Sequence, residues 1–390
     1  MKKALVIGGG FTGCTSALEL SKKNWDVTLL EKNNFLGAGN RTFFYKGHPY
    51  TFGPRHFLTQ DHKLYEYLSN YVPMRSCAEH EFLTLPSDEN NFFNYPINFN
   101  DIDNMNNNSE IKSELSEIYL SSVSKSKENI NYWDYHLHNG ASEAKNFEDF
   151  WIKSVGKTLY NKFINDYSKK MWMLNDNKEI DDFTWSPKGV TIKKGGKECW
   201  SEAISAYPIA INGYDDFFRL ATTDVNVLLN TSFDQVDIDN KIVFIKGEKF
   251  KYDLIVNTIS IDHLMDYQYG ELPFIGRDLI KLVLPIEFAL PKNVYFAYYA
   301  DDMNYTRVVE YKKFTKYINN QSTLISLEIP STNNKHYPLP IQKYIDVFNK
   351  YKKELPNNFY TIGRAGAYMY NVDIDDAIDQ SLKMIEQVES

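Results

Sequence analysis

The chain has 390 residues, and its 43 Lys and Arg against 51 Asp and Glu leave a formal net charge of -8, which excludes a general nucleic-acid binder needing a basic face. Its length exceeds one ordinary domain, so two or three packed units around a large core are expected. Cys14, Cys77 and Cys199 lie far apart, forming neither a disulfide framework nor a zinc pattern, and no apolar run reaches membrane-spanning length; a soluble cytoplasmic protein without metal or membrane partner is expected.

The first element is an apolar run, Ala4 to Ile7, that suits a buried parallel strand, followed directly by Gly8-Gly9-Gly10-Phe11-Thr12-Gly13, a G-x-G-x-x-G. Helical spacing over Cys14 to Leu20 and a second strand over Asp26 to Leu30 complete the unit, which ends on Glu31 with Lys32 beside it. Gly8 allows the tight turn, Gly10 admits a pyrophosphate close to the backbone, and Gly13 lets the helix pack against the strand. The helix N-terminus presents free N–H groups to phosphates, and Glu31 is placed to accept from ribose hydroxyls. A dinucleotide is therefore expected. With no second fingerprint for a separate nicotinamide domain, FAD is the better reading than NAD.

A second loop, Asn34 to Arg41, carries Gly39 and Asn40 and can approach a flavin ring. Gly53-Pro54 breaks the next extended run, with Arg55 and His56 at the break as candidates for flavin or phosphate contacts. Asp61 to Tyr71 begins a helical region. Phe93 to Asn100 alternates as a strand would, placing Asn98 and the other asparagines on one face, either as structural hydrogen bonds or as amides for a polyhydroxylated ligand. Asp101 to Asn131 reads as surface helices and loops. Asn146 to Asp166 is a helical pair running into Trp172; Phe163 and Tyr167, four apart, share a face and can line a pocket that Trp172 closes, although such a stripe is more often core.

Beyond Trp185, Val190 to Lys197 reads as a short strand ending in lysines, and Tyr207 to Tyr214 as a turn into a helix. Asn226–Leu229, Phe233–Val236, Val243–Ile245 and Asp253–Asn257 read as strands in hairpin order, the last returning to the dinucleotide fold. Val283–Leu290, Val294–Ala300, Tyr305–Tyr311 and Thr323–Ile329 suggest a further antiparallel sheet. Phe359 to Tyr370 is a strand meeting a glycine turn, and Asp373 to Ile385 a terminal helix.

With these stretches in place, the sequence resembles the UDP-galactopyranose mutase family of flavoproteins over nearly its whole length. The segments that carry the likeness are GGGFTG with Glu31, GAGN, HPYTFGPRHF, FNYPINFN, NFEDFWIKSVGKTLYNKFINDYSKKMW, GELPFIGRDL, NYTRVVE and GRAGAYMYNVDIDDAI. The resemblance implies an α/β architecture: a Rossmann-like FAD-binding domain from 1–60, 201–262 and 335–390, an inserted helical domain over 61–182 capping the substrate, and an antiparallel sheet domain from 183–200 and 263–334 with 83–100. It implies an isomerase that interconverts pyranose and furanose forms of a nucleotide sugar for cell-surface polysaccharide. In the family, reduced FAD attacks the anomeric carbon through N5, the diphosphate leaves, the sugar opens and recloses on the flavin, and the diphosphate returns; NAD(P)H is the expected reductant.

The same resemblance assigns roles. Arg277 matches one of two diphosphate-binding arginines, and the other falls at Lys193, with Lys194 nearly as good. Phe163, Tyr167 and Trp172 match nucleoside-binding aromatics, and Tyr207, Tyr305 and Tyr370 match tyrosines on the diphosphate. Arg364 and Asp373 match residues at the flavin edge; Arg307 and Glu310 read equally as a structural ion pair. Arg55 and Leu58 stand where members usually place histidines, which leaves the sugar and the base, uracil or thymine, open. The expected partner is the nucleotide sugar, with a homodimer also compatible. An FAD-dependent oxidoreductase of the amine-oxidase type is the alternative reading.

Overall fold

The computed structural model describes residues 1–123, 144–183, 192–200 and 203–389. Trp185, Val190 and the stretch beyond Val123 in the expected surface helices lie outside the described residues.

The apolar run at the start does what its composition requires. Lys3–Ile7 is the central strand of a five-stranded parallel sheet ordered Asn226–Leu228, Asp26–Leu30, Lys3–Ile7, Leu254–Asn257, Phe359–Thr361. Ala4, Leu5 and Val6 are fully buried, as befits a strand covered on both faces. Asn226–Leu228, expected in a hairpin, instead pairs in parallel with Asp26–Leu30 at the sheet edge. The hairpin strands are Gln235–Asp237, Ile242–Ile245 and Glu248–Lys251, a small antiparallel sheet of their own.

Helix Phe11–Lys22 follows the glycine turn, and the terminal helix Ile374–Glu389 docks on it: Ser381 Oγ donates to Thr12 O at 3.0 Å and lies 3.2 Å from Ser16 Oγ. Two remote ends of the chain thus close one layer.

The second sheet has seven strands, ordered Tyr337–Pro338, Phe274–Leu284, Thr323–Ser331, Arg307–Glu310, Val294–Tyr299, Glu81–Leu85, Phe93–Asn94. One pairing, Val294–Tyr299 with Glu81–Leu85, is parallel. The strand expected at Val283–Leu290 runs earlier, over Phe274–Leu284, because Pro285 supplies no N–H to extend the ladder. Residues 335–341, placed above with the dinucleotide domain, belong here through Tyr337–Pro338, which pairs with Phe274 and Ile275.

Helices cap this sheet. Phe147–Val155 begins where Asn146 accepts from Asp149 N at 2.9 Å, and it is followed by Lys157–Tyr160, a π-helical turn over Asn161–Asn165, and Asp166–Trp172. Lys170 Nζ fastens the last of these to the sheet by donating to Tyr299 O and Asp301 O, both at 2.9 Å. The asparagine ladder does not form. Only Phe93–Asn94 is strand; Pro96 interrupts it, and Asn98 opens a 3-10 helix over Phe99–Asn104 by accepting from Asn100 N.

Candidate active site

The glycine turn forms a cradle that any larger residue would fill. A Cβ on Gly13 would lie 1.8 Å from Gly8 O, so helix and turn touch only because that atom is missing. Gly8 has φ +102°, a left-handed conformation that side chains disfavour. Gly10 caps the helix with open space in front of it; the nearest atom to a Cβ there would be Ala38 Cβ at 3.8 Å. The second loop is pinned opposite by Gly37 N donating to Gly9 O at 2.7 Å. Glu31 braces the turn: one oxygen accepts from Gly9 N at 2.8 Å, the other from Asn33 N and Nδ2 at 2.8 and 2.7 Å. On that second loop the buried Asn40 Oδ1 has no hydrogen-bond partner among the described residues, as an acceptor for a ligand would. Helix N-terminus, stripped backbone and orphaned acceptor fit a dinucleotide pyrophosphate.

Next to the cradle the chain gathers four guanidiniums around one phenol. Arg277 and Arg364 lie over the Tyr337 ring at 4.9 and 5.1 Å, and Arg55 and Arg307 also bear on it. Burial would push this phenol up, but the four arginines outweigh it and hold its pKa down at about 8. Two guanidiniums have carboxylate partners: Arg307 Nε to Glu328 at 2.7 Å and Arg364 to Asp373 at 3.0 Å. Arg55 and Arg277 are held only by carbonyls, Phe52 O and Gly276 O, both at 2.7 Å, with no carboxylate partner among the described residues. Burial lowers the pKa of Arg55, so an anion entering here relieves an existing cost. Two largely buried guanidiniums without an ion pair of their own among the described residues suit a group carrying negative charge.

Aromatic rings wall the cluster. Tyr167 stacks on Tyr298 at 4.9 Å and 16°, Arg307 lies 5.8 Å over Tyr298, and Tyr370 bridges Trp172 at 4.9 Å and Tyr337 at 5.5 Å. Sequence spacing put Phe163 on the same face as Tyr167. The π-helical turn between them adds a residue to the turn, so Phe163 points into the helical core, 6.3 Å from Tyr95, while Tyr167 reaches the cluster.

Several expected residues lie elsewhere. Lys193 closes its own loop by donating to Glu198 O, and Lys194 is exposed on that loop. Asn98 Nδ2 holds the same loop at Gly195 O, 3.4 Å away, and is 2 % exposed, a structural place rather than a ligand-facing one. Tyr207 is core, packed on Tyr214 and Phe314 at 5.6 Å each. Tyr305 packs on Tyr299 at 4.7 Å; because successive strand residues alternate, that is the face opposite Tyr298. His56 stacks on Phe314 at 5.6 Å, turned away from its neighbour Arg55. Phe11 is buried among Tyr214, Phe217 and Phe218, so it can offer a ligand only its backbone. Lys32 is exposed. Arg307 does not pair with Glu310, which accepts instead from Ala289 N, Leu290 N and Thr323 Oγ1; three residues apart on a strand, the two side chains point to opposite faces.

Sequence reasoning missed His336, Tyr337, Tyr298 and Glu328. Nothing local in Lys335-His-Tyr-Pro338 marks a two-residue strand that exists only by pairing with Phe274 and Ile275.

Fold and site together define a dinucleotide-binding α/β protein in which the glycine cradle lies beside a cationic cluster flanked by aromatic rings. Residues 6–71 match the model of the NAD(P)-binding Rossmann-like domain, and residues 162–370 match that of UDP-galactopyranose mutase. The chain belongs to the UDP-galactopyranose mutase family, whose members are pyranose–furanose isomerases of nucleotide sugars. It is 23 % identical to a dTDP-fucopyranose mutase of Escherichia coli, over 98 % of this chain and 97 % of the relative. It is 20 % identical to a probable UDP-galactopyranose mutase of Klebsiella pneumoniae, over 99 % and 94 %. A crystal structure of reduced UDP-galactopyranose mutase superposes with a TM-score of 0.76 at 14 % identity, covering 100 % of this chain and 96 % of that one. Among the described residues no helix is long and apolar enough to cross a membrane.

Proposed function

We propose that the protein interconverts the pyranose and furanose forms of a nucleoside-diphosphate sugar, UDP-galactose or a related UDP or dTDP sugar, on the route to a surface polysaccharide. The observation that carries this reading is the pair of carboxylate-free guanidiniums, Arg55 and Arg277, beside the glycine cradle. A diphosphate leaving and returning needs fixed positive partners, and one close charge pair contributes about 4 kcal/mol at an effective dielectric near 20.

FAD is the dinucleotide that fits this reading, with Gly8, Gly10, Thr12, Gly13, Gly39, Asn40 and Arg364 around it and Glu31 bracing the turn. When bound and reduced, by NAD(P)H or another donor, it supplies a nucleophilic nitrogen for the anomeric carbon. The chain's own groups do the rest. Arg55, Arg277, Arg307 and Arg364 hold the diphosphate through bond breaking and reforming, and Tyr337 and Tyr370 offer it phenolic donors. Tyr167 and Trp172 stack on or beside the base, and the capping helices exclude water from the exposed anomeric centre.

The test is to incubate dithionite-reduced protein with UDP-galactofuranose, UDP-arabinofuranose and dTDP-fucofuranose and to separate the products by chromatography. Conversion to the pyranose that requires reduced flavin without consuming reductant in proportion is the expected result. Oxidation of the sugar with matching oxygen uptake would overturn it in favour of an oxidoreductase.

A further inference from the structure

We propose that the imidazole of His336 relays a proton between the two sugar oxygens that exchange places when the ring changes size. The inference rests on the mutase reading of this site. In that interconversion the ring oxygen first leaves the anomeric carbon and gains a proton, and a hydroxyl oxygen then closes on that carbon and loses one. His336, protonated from solvent when the substrate binds, gives its proton to the first oxygen and recovers one from the second, so neither protons nor electrons are gained or lost overall.

His336 stands at the seam between the two halves of the site. On the cofactor side its Cε1 lies 3.7 Å from where a Cβ on Gly39 would be, and its ring stacks on Phe52 at 5.8 Å and 26°. Towards the cation cluster it faces Arg55 on the loop before Phe57–Thr59, Arg277 on Phe274–Leu284 and Arg364 on the short helix Gly363–Gly366, with Tyr337 next in the chain. The anomeric carbon carries the diphosphate on one side and must meet the cofactor on the other, so it has to pass this seam. The backbone is fixed by His336 N donating to Ile275 O at 3.3 Å, whereas the ring makes no hydrogen bond to another described residue. Other described histidines are differently placed: His48 bonds Ser322, His80 bonds Asn293, His56 packs among aromatic rings, His263 lies against Phe233 and Tyr267, and His62 is on the surface.

The surroundings supply a reason for the residue type. A guanidinium cannot accept a proton, whereas a neutral imidazole both accepts and returns one. Burial, then the guanidiniums of Arg55, Arg277 and Arg364, lower the pKa of His336 to about 3, which holds the ring neutral without substrate. A bound diphosphate offsets those same guanidiniums. The ring therefore takes up its proton only when substrate is present.

The experiment uses the full chain with its flavin and has two arms. Steady-state kinetics of His336→Gln and His336→Ala on the converted sugar should show kcat down about 100-fold or more with KM within about threefold, and added imidazole should partly restore the Ala variant. Titration of histidine-labelled wild type by NMR should show His336 neutral from pH 5 to 8 alone, and its pKa moving up towards the ordinary value when UDP saturates the site. Turnover of His336→Gln within about threefold of wild type, or a pKa that UDP leaves unmoved, overturns the relay while the mutase reading stands. A wild type inactive on every sugar tried overturns the mutase reading, and the relay with it.

Discussion

The glycine cradle and the arginine cluster lie side by side and both suit phosphates, yet they are built in opposite ways. The cradle is almost chargeless: backbone N–H groups, a helix end, and space left by Gly8, Gly10 and Gly13, all within six consecutive residues. The cluster is nearly all charge, drawn from Arg55, Arg277, Arg307 and Arg364 across the length of the chain. The difference matches what each is proposed to hold. A cofactor that stays needs shape, whereas a leaving group that departs and returns needs a field that persists while its bond is broken.

The largest effect should come from the cradle. Gly13→Ala puts a methyl group 1.8 Å from Gly8 O, and the protein should emerge colourless, with flavin absorbance per chain near zero; normal colour would show that the turn can yield. Arg277→Ala should spare the colour and cost about 10²–10³ in turnover, so a variant retaining full rate would remove Arg277 from the diphosphate. Tyr337 sharpens the contrast further, because only the cluster titrates. As pH rises through about 8 the phenol ionises, offsets the guanidiniums and repels a dianion, so KM should climb above pH 8 in the wild type and stay flat in Tyr337→Phe.

A stability measurement separates scaffold from site. Burial holds His80 neutral, lowering its pKa to about 4, with Nδ1 donating to Asn293 O at 3.3 Å. Since the folded value is below the unfolded one, this contribution is complete above pH 6.5 and is lost as pH falls towards 4, by at most about 3 kcal/mol; denaturant midpoints across that range should be flatter in His80→Gln. The smallest effect belongs to Lys193→Ala, within about twofold in kcat/KM, because its ammonium is spent on Glu198 O. A tenfold loss would return that lysine to the phosphate.

The two regions were also unequally legible. The cradle could be read from a single window, since Gly8, Gly10, Gly13 and Glu31 act on their chain neighbours. Arg277 was found through family resemblance, and Arg55 from its place beside a glycine break. Their convergence on Tyr337 was not visible, because it depends on Tyr337–Pro338 pairing with Phe274 and Ile275 across sixty residues of chain. Tyr305 follows from the family resemblance, whereas Tyr298 emerges only through the strand register that sets it opposite Arg307. Tyr207 and His56 carry polar atoms that suit a site, and the fold turns both into packing.

The wide helical turn at Asn161–Asn165 makes the pocket sensitive to chain length rather than to chemistry. Losing one residue beside it, with no change in the winding, would swing everything after it by about 100°. Tyr167 and Trp172 would then leave Tyr298 and Tyr370, although every atom of both rings remained. The wall of this part of the molecule can therefore shift through insertion and deletion, with no exchange of the side chains that line it.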